Sequence, residues 1–210
     1  LLAGGMPKSH HLDKINTSGT TKTISFAPSL PIAKRLVKNG IDALVIEGME
    51  AGGHIGPVST SVLAQEILPY FRNQETPIFV AGGIGTGDAI VGYLEMGASG
   101  CQIGTLFACT KESMAHSNFK QAFIRASSRD AIASIQISTE FPVIPVRAIA
   151  NNASSEFLKL QKDIVLDFEN GIISKEDGRL KIEKFWAGAL KKAVINGDIE
   201  NGNKSKYLFK

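Results

Sequence analysis

The chain of 210 residues is 43% hydrophobic and 20% charged, with a formal net charge of +3, which suits one globular domain with a substantial core. With the small charge and with lysines scattered or in the C-terminal third, a basic nucleic-acid-binding stripe is not indicated. Cys101 and Cys109 cannot form a disulfide framework or a zinc site by themselves. No run of about 18 apolar residues offers a transmembrane helix, and no charged-then-apolar leader opens the chain, so a cytoplasmic soluble protein is expected.

Short β-branched runs alternate with amphipathic stretches, the pattern of βα units around a parallel sheet. The opening residues 1–3 read as the end of a strand, followed by a helix around 8–16. Residues 23–26 form the next strand. Ser29 can cap a helix with Pro31 in its first turn, Ile32, Leu36 and Val37 on one face, and Asn39-Gly40 as its stop. The strand Ala43–Glu47 is rich enough in Leu, Val and Ile to be buried on both faces. A glycine-rich loop leads to a helix bearing Leu63, Ile67, Leu68 and Phe71 on one side. A strand over 77–81, a helix over 87–96 and a strand over 100–103 complete five βα steps.

The expected fold is therefore α/β, of (β/α)8 TIM-barrel type. It is an incomplete barrel lacking the first three βα units, with a helical C-terminal extension. With five βα steps where a complete barrel needs eight, the chain reads as a fragment of a longer gene product. After Gly104 the pattern turns mainly helical, with candidates at 112–127, 155–169 and 182–195, and residues 141–145 extended. The expected division is residues 1–128 for the barrel units and 129–210 for the extension.

Chemistry in parallel βα architectures sits at the carboxyl ends of strands. Three segments occupy that position. Glu47-Gly48-Met49-Glu50-Ala51-Gly52-Gly53-His54 has glycines that let the backbone approach a flat ligand, and it delivers one imidazole able to accept a proton near neutral pH. Ala81-Gly82-Gly83-Ile84-Gly85-Thr86-Gly87 leads from strand to helix and offers backbone N–H groups to a phosphate. It is not a Rossmann fingerprint, because Ile90 stands where the third glycine belongs, and a plain glycine turn for helix–strand packing stays open. Gln102-Ile103-Gly104-Thr105 adds further N–H groups and a hydroxyl at the next strand end. Two adjacent glycine-rich strand ends match the phosphate site that barrels place after strands seven and eight.

These three motifs, with Lys111-Glu112-Ser113-Met114-Ala115-His116-Ser117-Asn118-Phe119-Lys120, resemble the nitronate monooxygenases (2-nitropropane dioxygenases) and the FMN-dependent enoyl-acyl-carrier-protein reductases. The similarity runs from about Gly4 to about Gly202. The resemblance implies that Gly83, Gln102, Gly104 and Thr105 hold the FMN phosphate and ribityl chain, with Gly82 lining the same turn. Glu47, where many relatives carry Gln, would lie along the flavin with Gly52 and Gly53. His54 matches the catalytic histidine, which takes the proton α to a nitro group or positions the nitronate. The segment 203–210 departs from the family pattern, and the region 131–202 departs from the enoyl-reductase subgroup.

The remaining candidates read as structural. His116 suits a capping or packing role, and His10 and His11 a solvated loop. Cys101 and Cys109 read as packing groups and Trp186 as part of an apolar helical stripe, and no metal site is expected. The expected function is FMN-dependent oxidation of alkyl nitronates with O2. Two alternatives stay open: NAD(P)H-dependent reduction of an enoyl-ACP thioester or quinone, and a non-redox phosphate-binding barrel or inactive fragment. The implied cofactor is FMN, with NAD(P)H as an optional co-substrate. The implied partners are a small-molecule substrate and O2, without nucleic acid or membrane, and a homodimer stays open.

Overall fold

The computed structural model describes residues 1–2, 7, 12, 15, 19–143, 145–186 and 188–202, with Trp186 described in its backbone alone. The chain divides into two compact units. The first comprises Leu1–Ala51 and Gly56–Ile103, the second Gly52–Ile55 and Gly104–Lys210. The boundary between these compact units lies at Ile103, and the Gly52–Ile55 stretch belongs to the second.

The first unit is a parallel α/β layer. Strands β1 (Ile24–Phe26), β2 (Ala43–Glu47), β4 (Ile78–Ala81) and β5 (Gly100–Gln102) lie in the order β1-β2-β4-β5, all parallel. Leu2 adds an isolated parallel bridge to Ser25 on the far edge of β1, where its N–H donates to the Ile24 carbonyl at 2.7 Å. Ala3 and most of the expected helix over 8–16 lie outside the described residues, although Leu12 and Ile15 are helical.

The connections are helices α1 (Leu30–Lys38), α2 (Thr60–Phe71) and α3 (Gly87–Glu95). Each βαβ step obeys the rule that parallel neighbours need a crossover. Leu44, Ile46, Leu63, Ile67, Leu68, Phe71, Ile78 and Val80 form the heart of one core, each under 5% exposed. Strand β2 is buried from Ala43 to Ile46, as its unbroken apolar run requires. α1 has Pro31 in its opening turn and ends at Asn39, followed by Gly40 at φ 86°. Ser29 occupies the N-cap position, but its hydroxyl makes no capping bond.

The second unit is not helical alone. Strands β3 (Gly53–His54), β6 (Ala131–Ala133) and β7 (Val146–Ile149) make an antiparallel sheet in the order β3-β7-β6. The helices are α4 (Thr105–Ala108), α5 (Ser117–Arg125), α6 (Asn152–Glu169), α7 (Lys175–Trp186) and α8 (Ala189–Val194). The helix expected over 182–195 is in fact two, because Gly188 adopts φ 78° and turns the chain between α7 and α8. α7 begins earlier than expected, where the Ser174 hydroxyl accepts the Asp177 N–H at 3.1 Å. Phe141, Phe157, Ile164 and Ile182 form one core of this unit, and Ala115, Phe119, Ala193 and Val194 a second.

Candidate functional site

In the first unit the register aligns the strand ends. Glu47 of β2 pairs with Ala81 of β4, and Ala81 pairs with Gln102 of β5. Glu47, Ala81 and Gln102 therefore form one row at the carboxyl edge of the sheet, half-buried, buried and exposed respectively. Gly82 and Gly83 follow Ala81 directly with φ of 95° and 71°, values that glycine adopts without steric cost. A β-carbon on Gly82 would also sit 2.9 Å from the Ala51 nitrogen, and one on Gly83 3.1 Å from the Glu50 Cβ. The loop after β2 thus lies directly against the turn after β4.

Thr60, at 1% exposure, ties this arrangement together. Its hydroxyl accepts the Gly48 N–H at 3.1 Å and donates to the Ala81 carbonyl at 3.3 Å, which joins the ends of β2 and β4. Its own N–H donates to Glu50 Oε2 at 2.7 Å. α2 has no acidic residue in its first turn, so the Glu50 carboxylate supplies the negative charge that a helix N-terminus favours. Sequence reading passed over Glu50 and Thr60. The missing first-turn acid was the available signal, but the pairing spans ten residues of loop and needs the fold.

Beyond Gly83, Ile84 is buried and Thr86 caps α3, its hydroxyl accepting the Ala89 N–H at 3.2 Å. Gly85 and Gly87 differ from Gly82 and Gly83. Neither has a left-handed φ, and a β-carbon on either would project into open space. The fold itself therefore does not demand glycine there, and the start of α3 is open to close approach by a ligand. Asp88 lies in that first turn.

The other expected site residues fall in the second unit. Gly53 has φ 91° and is buried, and His54 is exposed. Both belong to β3, where Gly53 pairs with Arg147 and His54 with Val146. The pairing continues where the Ile55 N–H donates to the Pro145 carbonyl at 2.9 Å. The histidine therefore sits on a short strand rather than a free loop. Gly104 precedes α4, and its carbonyl accepts the Ala108 N–H at 2.8 Å, with Thr105 exposed as the first residue of that turn. Glu47, Gly82, Gly83 and Gln102 are thus gathered in one unit, while Gly52, Gly53, His54, Gly104 and Thr105 belong to the other.

His116 is a cap. Its Nδ1 accepts the Asn118 N–H at 3.1 Å at the start of α5, and its ring packs on Gly197. Lys120 donates to the Thr110 and Ser113 carbonyls, each at 2.7 Å, and staples the turn before α5. Burial pushes the thiol pKa of both Cys101 and Cys109 up, with Lys120 partly offsetting it at Cys109, so neither is primed as a nucleophile. Among the described residues no group of three or more His, Cys, Asp or Glu could hold a metal ion. No helix among them is long and apolar enough to cross a membrane.

A parallel βα sheet with glycine-rich motifs at adjacent carboxyl ends defines an α/β protein, consistent with the TIM-barrel-like class. The family model for nitronate monooxygenase matches residues 2–206, and the chain belongs to that family. It is 29% identical over 170 residues to a protein of Staphylococcus aureus named "Probable nitronate monooxygenase", covering 76% of this chain and 46% of that one. It is 30% identical over 131 residues to the (3aS,4S,5R,7aS)-5-hydroxy-7a-methyl-1-oxo-octahydro-1H-indene-4-carboxyl-CoA dehydrogenase of Rhodococcus jostii, covering 62% of this chain and 36% of that one. The solved structure of FabK from Thermotoga maritima superposes with a TM-score of 0.74 at 29% identity, over 94% of this chain and 57% of FabK. The chain thus spans about half or less of the curated relatives and little more than half of the solved one.

Proposed function

We propose that this chain is part of an FMN-dependent oxidoreductase that oxidises alkyl nitronates with O2, built on an incomplete (β/α)8 barrel. The observation that carries the reading is the row Glu47–Ala81–Gln102 with Gly82-Gly83 immediately beyond it, in a chain of the nitronate monooxygenase family. The residues fit a flavin mononucleotide. Gly85 and Gly87 leave the start of α3 open, where backbone N–H groups and the helix dipole favour a phosphate. Gly82, Gly83, Gln102, Gly104 and Thr105 would hold the phosphate and ribityl chain, while Glu47, Gly52 and Gly53 would lie along the ring. When bound, FMN supplies the electron exchange between substrate and O2.

The chain's own contribution is binding and proton transfer. The exposed imidazole of His54 accepts the proton from the carbon α to the nitro group, or holds the nitronate in place. The β3–β7 pairing fixes the histidine within its own unit. The expected partners are a small-molecule substrate and O2 in a cytoplasmic enzyme. The experiment is aerobic turnover of nitroethane, a neutral nitroalkane that still carries its α-proton, by the full-length protein and its His54→Ala variant. Loss of about 10²–10⁴-fold in kcat with flavin retained is expected, and unchanged turnover would remove His54 from the chemistry.

A second reading is NAD(P)H-dependent reduction of an enoyl thioester or quinone. The FabK superposition and the identity to a dehydrogenase named for a CoA thioester favour it. Anaerobic bleaching of the flavin by NADH without any nitronate turnover would select it.

A further inference from the structure

We propose that a cavity inside the second unit takes the short hydrocarbon chain of the substrate on which His54 acts, an inference that rests on the role given to His54 above. The cavity, of about 90 Å3, lies between the antiparallel sheet and the first half of α6. Ile132, Val146, Ala148, Phe157 and Leu158 supply its apolar walls. Its link to the histidine follows from register. His54 pairs with Val146, and the Ser134 N–H donates to the Val146 carbonyl at 2.8 Å, so the three form one cross-strand row. Ala148 and Ile132 form the next row on the same face. Directly opposed residues in an antiparallel sheet share a face with β-carbons about 4.5–5.5 Å apart. His54 therefore stands one cross-strand step from the cavity wall, on the side of the sheet that faces the cavity.

The chemistry of the occupant follows from what the walls leave unasked. Four polar residues touch the cavity, and each is engaged within the unit. The Ser134 hydroxyl accepts the Val146 N–H at 2.9 Å. Asn151 accepts from the Ser154 N–H and hydroxyl, each at 3.1 Å, and donates to the Ile199 and Gly202 carbonyls. Gln161, 3% exposed, donates to the Ile135 carbonyl at 3.0 Å and accepts the Ile137 N–H at 3.4 Å. No buried side-chain nitrogen or oxygen among the described residues lacks a partner. The cavity thus asks for hydrocarbon and rejects polar groups. It is smaller than the ~150 Å3 cavity that accepts benzene, so an unbranched chain of a few carbons fits and a ring does not. Ile132 and Ile135, 45% and 62% exposed, mark an apolar rim through which such a chain can enter.

The test titrates the full-length protein, carbon-13-labelled at Ile, Leu and Val methyls, with nitromethane, nitroethane, 1-nitropropane and 1-nitrobutane. In parallel, kcat/KM is measured for the corresponding nitronates with O2. The Ile132, Val146 and Leu158 methyls are expected to shift with the longer nitroalkanes and not with nitromethane. kcat/KM should rise up to about fourfold per added methylene until the cavity is filled. Ala148→Leu, which plugs the cavity from the sheet, should flatten both trends. Ile132→Phe, a plug from the exposed rim, gives the same reading should the first variant fold poorly. Unmoved methyls with 1-nitrobutane, together with a flat kcat/KM series, would overturn the proposal and leave the nitronate reading standing. Shifted methyls without turnover of any nitronate would support the cavity and sink the nitronate reading.

Discussion

Thr60 does the work of a rivet. A valine there keeps the shape of the side chain but leaves the Gly48 N–H and the Ala81 carbonyl without their partner inside the sheet. Thr60→Val is expected to cost ~1–3 kcal/mol in denaturant unfolding, the range for orphaned buried polar groups. A change below a few tenths would mean that water replaces the hydroxyl. At the opposite end of β2, where it starts beside β1, Asp42 accepts from Lys22 Nζ at 2.9 Å and from the Thr23 N–H and hydroxyl at 2.8 and 2.9 Å. The bond from Lys22, then those from Thr23, hold its carboxyl at about 2. A folded-state pKa below the unfolded one gives stability that is present above the ordinary carboxylate range near pH 4 and lost as pH falls towards about 2. The melting temperature of Asp42→Asn should therefore fall below that of the parent at neutral pH, and the gap should close on acidification. A gap independent of pH would show that the carboxylate's charge is not what stabilises. Neither residue stands out in the sequence, since nothing local marks a Thr or an Asp whose partners lie about 20 residues away.

Elements were legible where one periodic signal ran long enough. The run Ala-Leu-Val-Ile announced β2, and Leu63, Ile67, Leu68 and Phe71 announced α2, because burial on a fixed face imposes the spacing. The antiparallel sheet was not legible. β6 has three residues and β3 two, too few to show alternation, and β3 is joined to β7 across some ninety residues. α7 also contains a reversal of ordinary propensity. Gly→Ala inside a helix usually gains about 1 kcal/mol, but a β-carbon on Gly178 would collide with the Phe141 ring and lie 3.0 Å from Ile164 Cγ2. Phe141 is 3% exposed and packed edge-on against Phe168 at 5.3 Å, so it has little room to yield. Gly178→Ala should destabilise by ~1–3 kcal/mol, and adding Phe141→Leu should recover part of the loss. A stabilised single variant would contradict the packing described.

For the whole molecule, the motifs at the strand ends were readable because glycine, imidazole and amide at fixed spacing have few structural uses in combination. Their distribution over two compact units was not, since it depends on β3 leaving the first unit to pair with β7. The chain spans 57% of FabK and 46% of the Staphylococcus aureus relative, so its chemistry belongs to a test on the full-length protein. The central claim is that the edge formed by Glu47, Gly82, Gly83 and Gln102 helps to hold a flavin mononucleotide. The most direct measurement is the visible spectrum of the purified full-length protein, with mass analysis of whatever heat releases from it. Yellow protein that releases FMN, with the colour weakened when Gly83 is replaced by valine, is the expected result. Colourless protein that takes up no FMN on titration while remaining folded would contradict it.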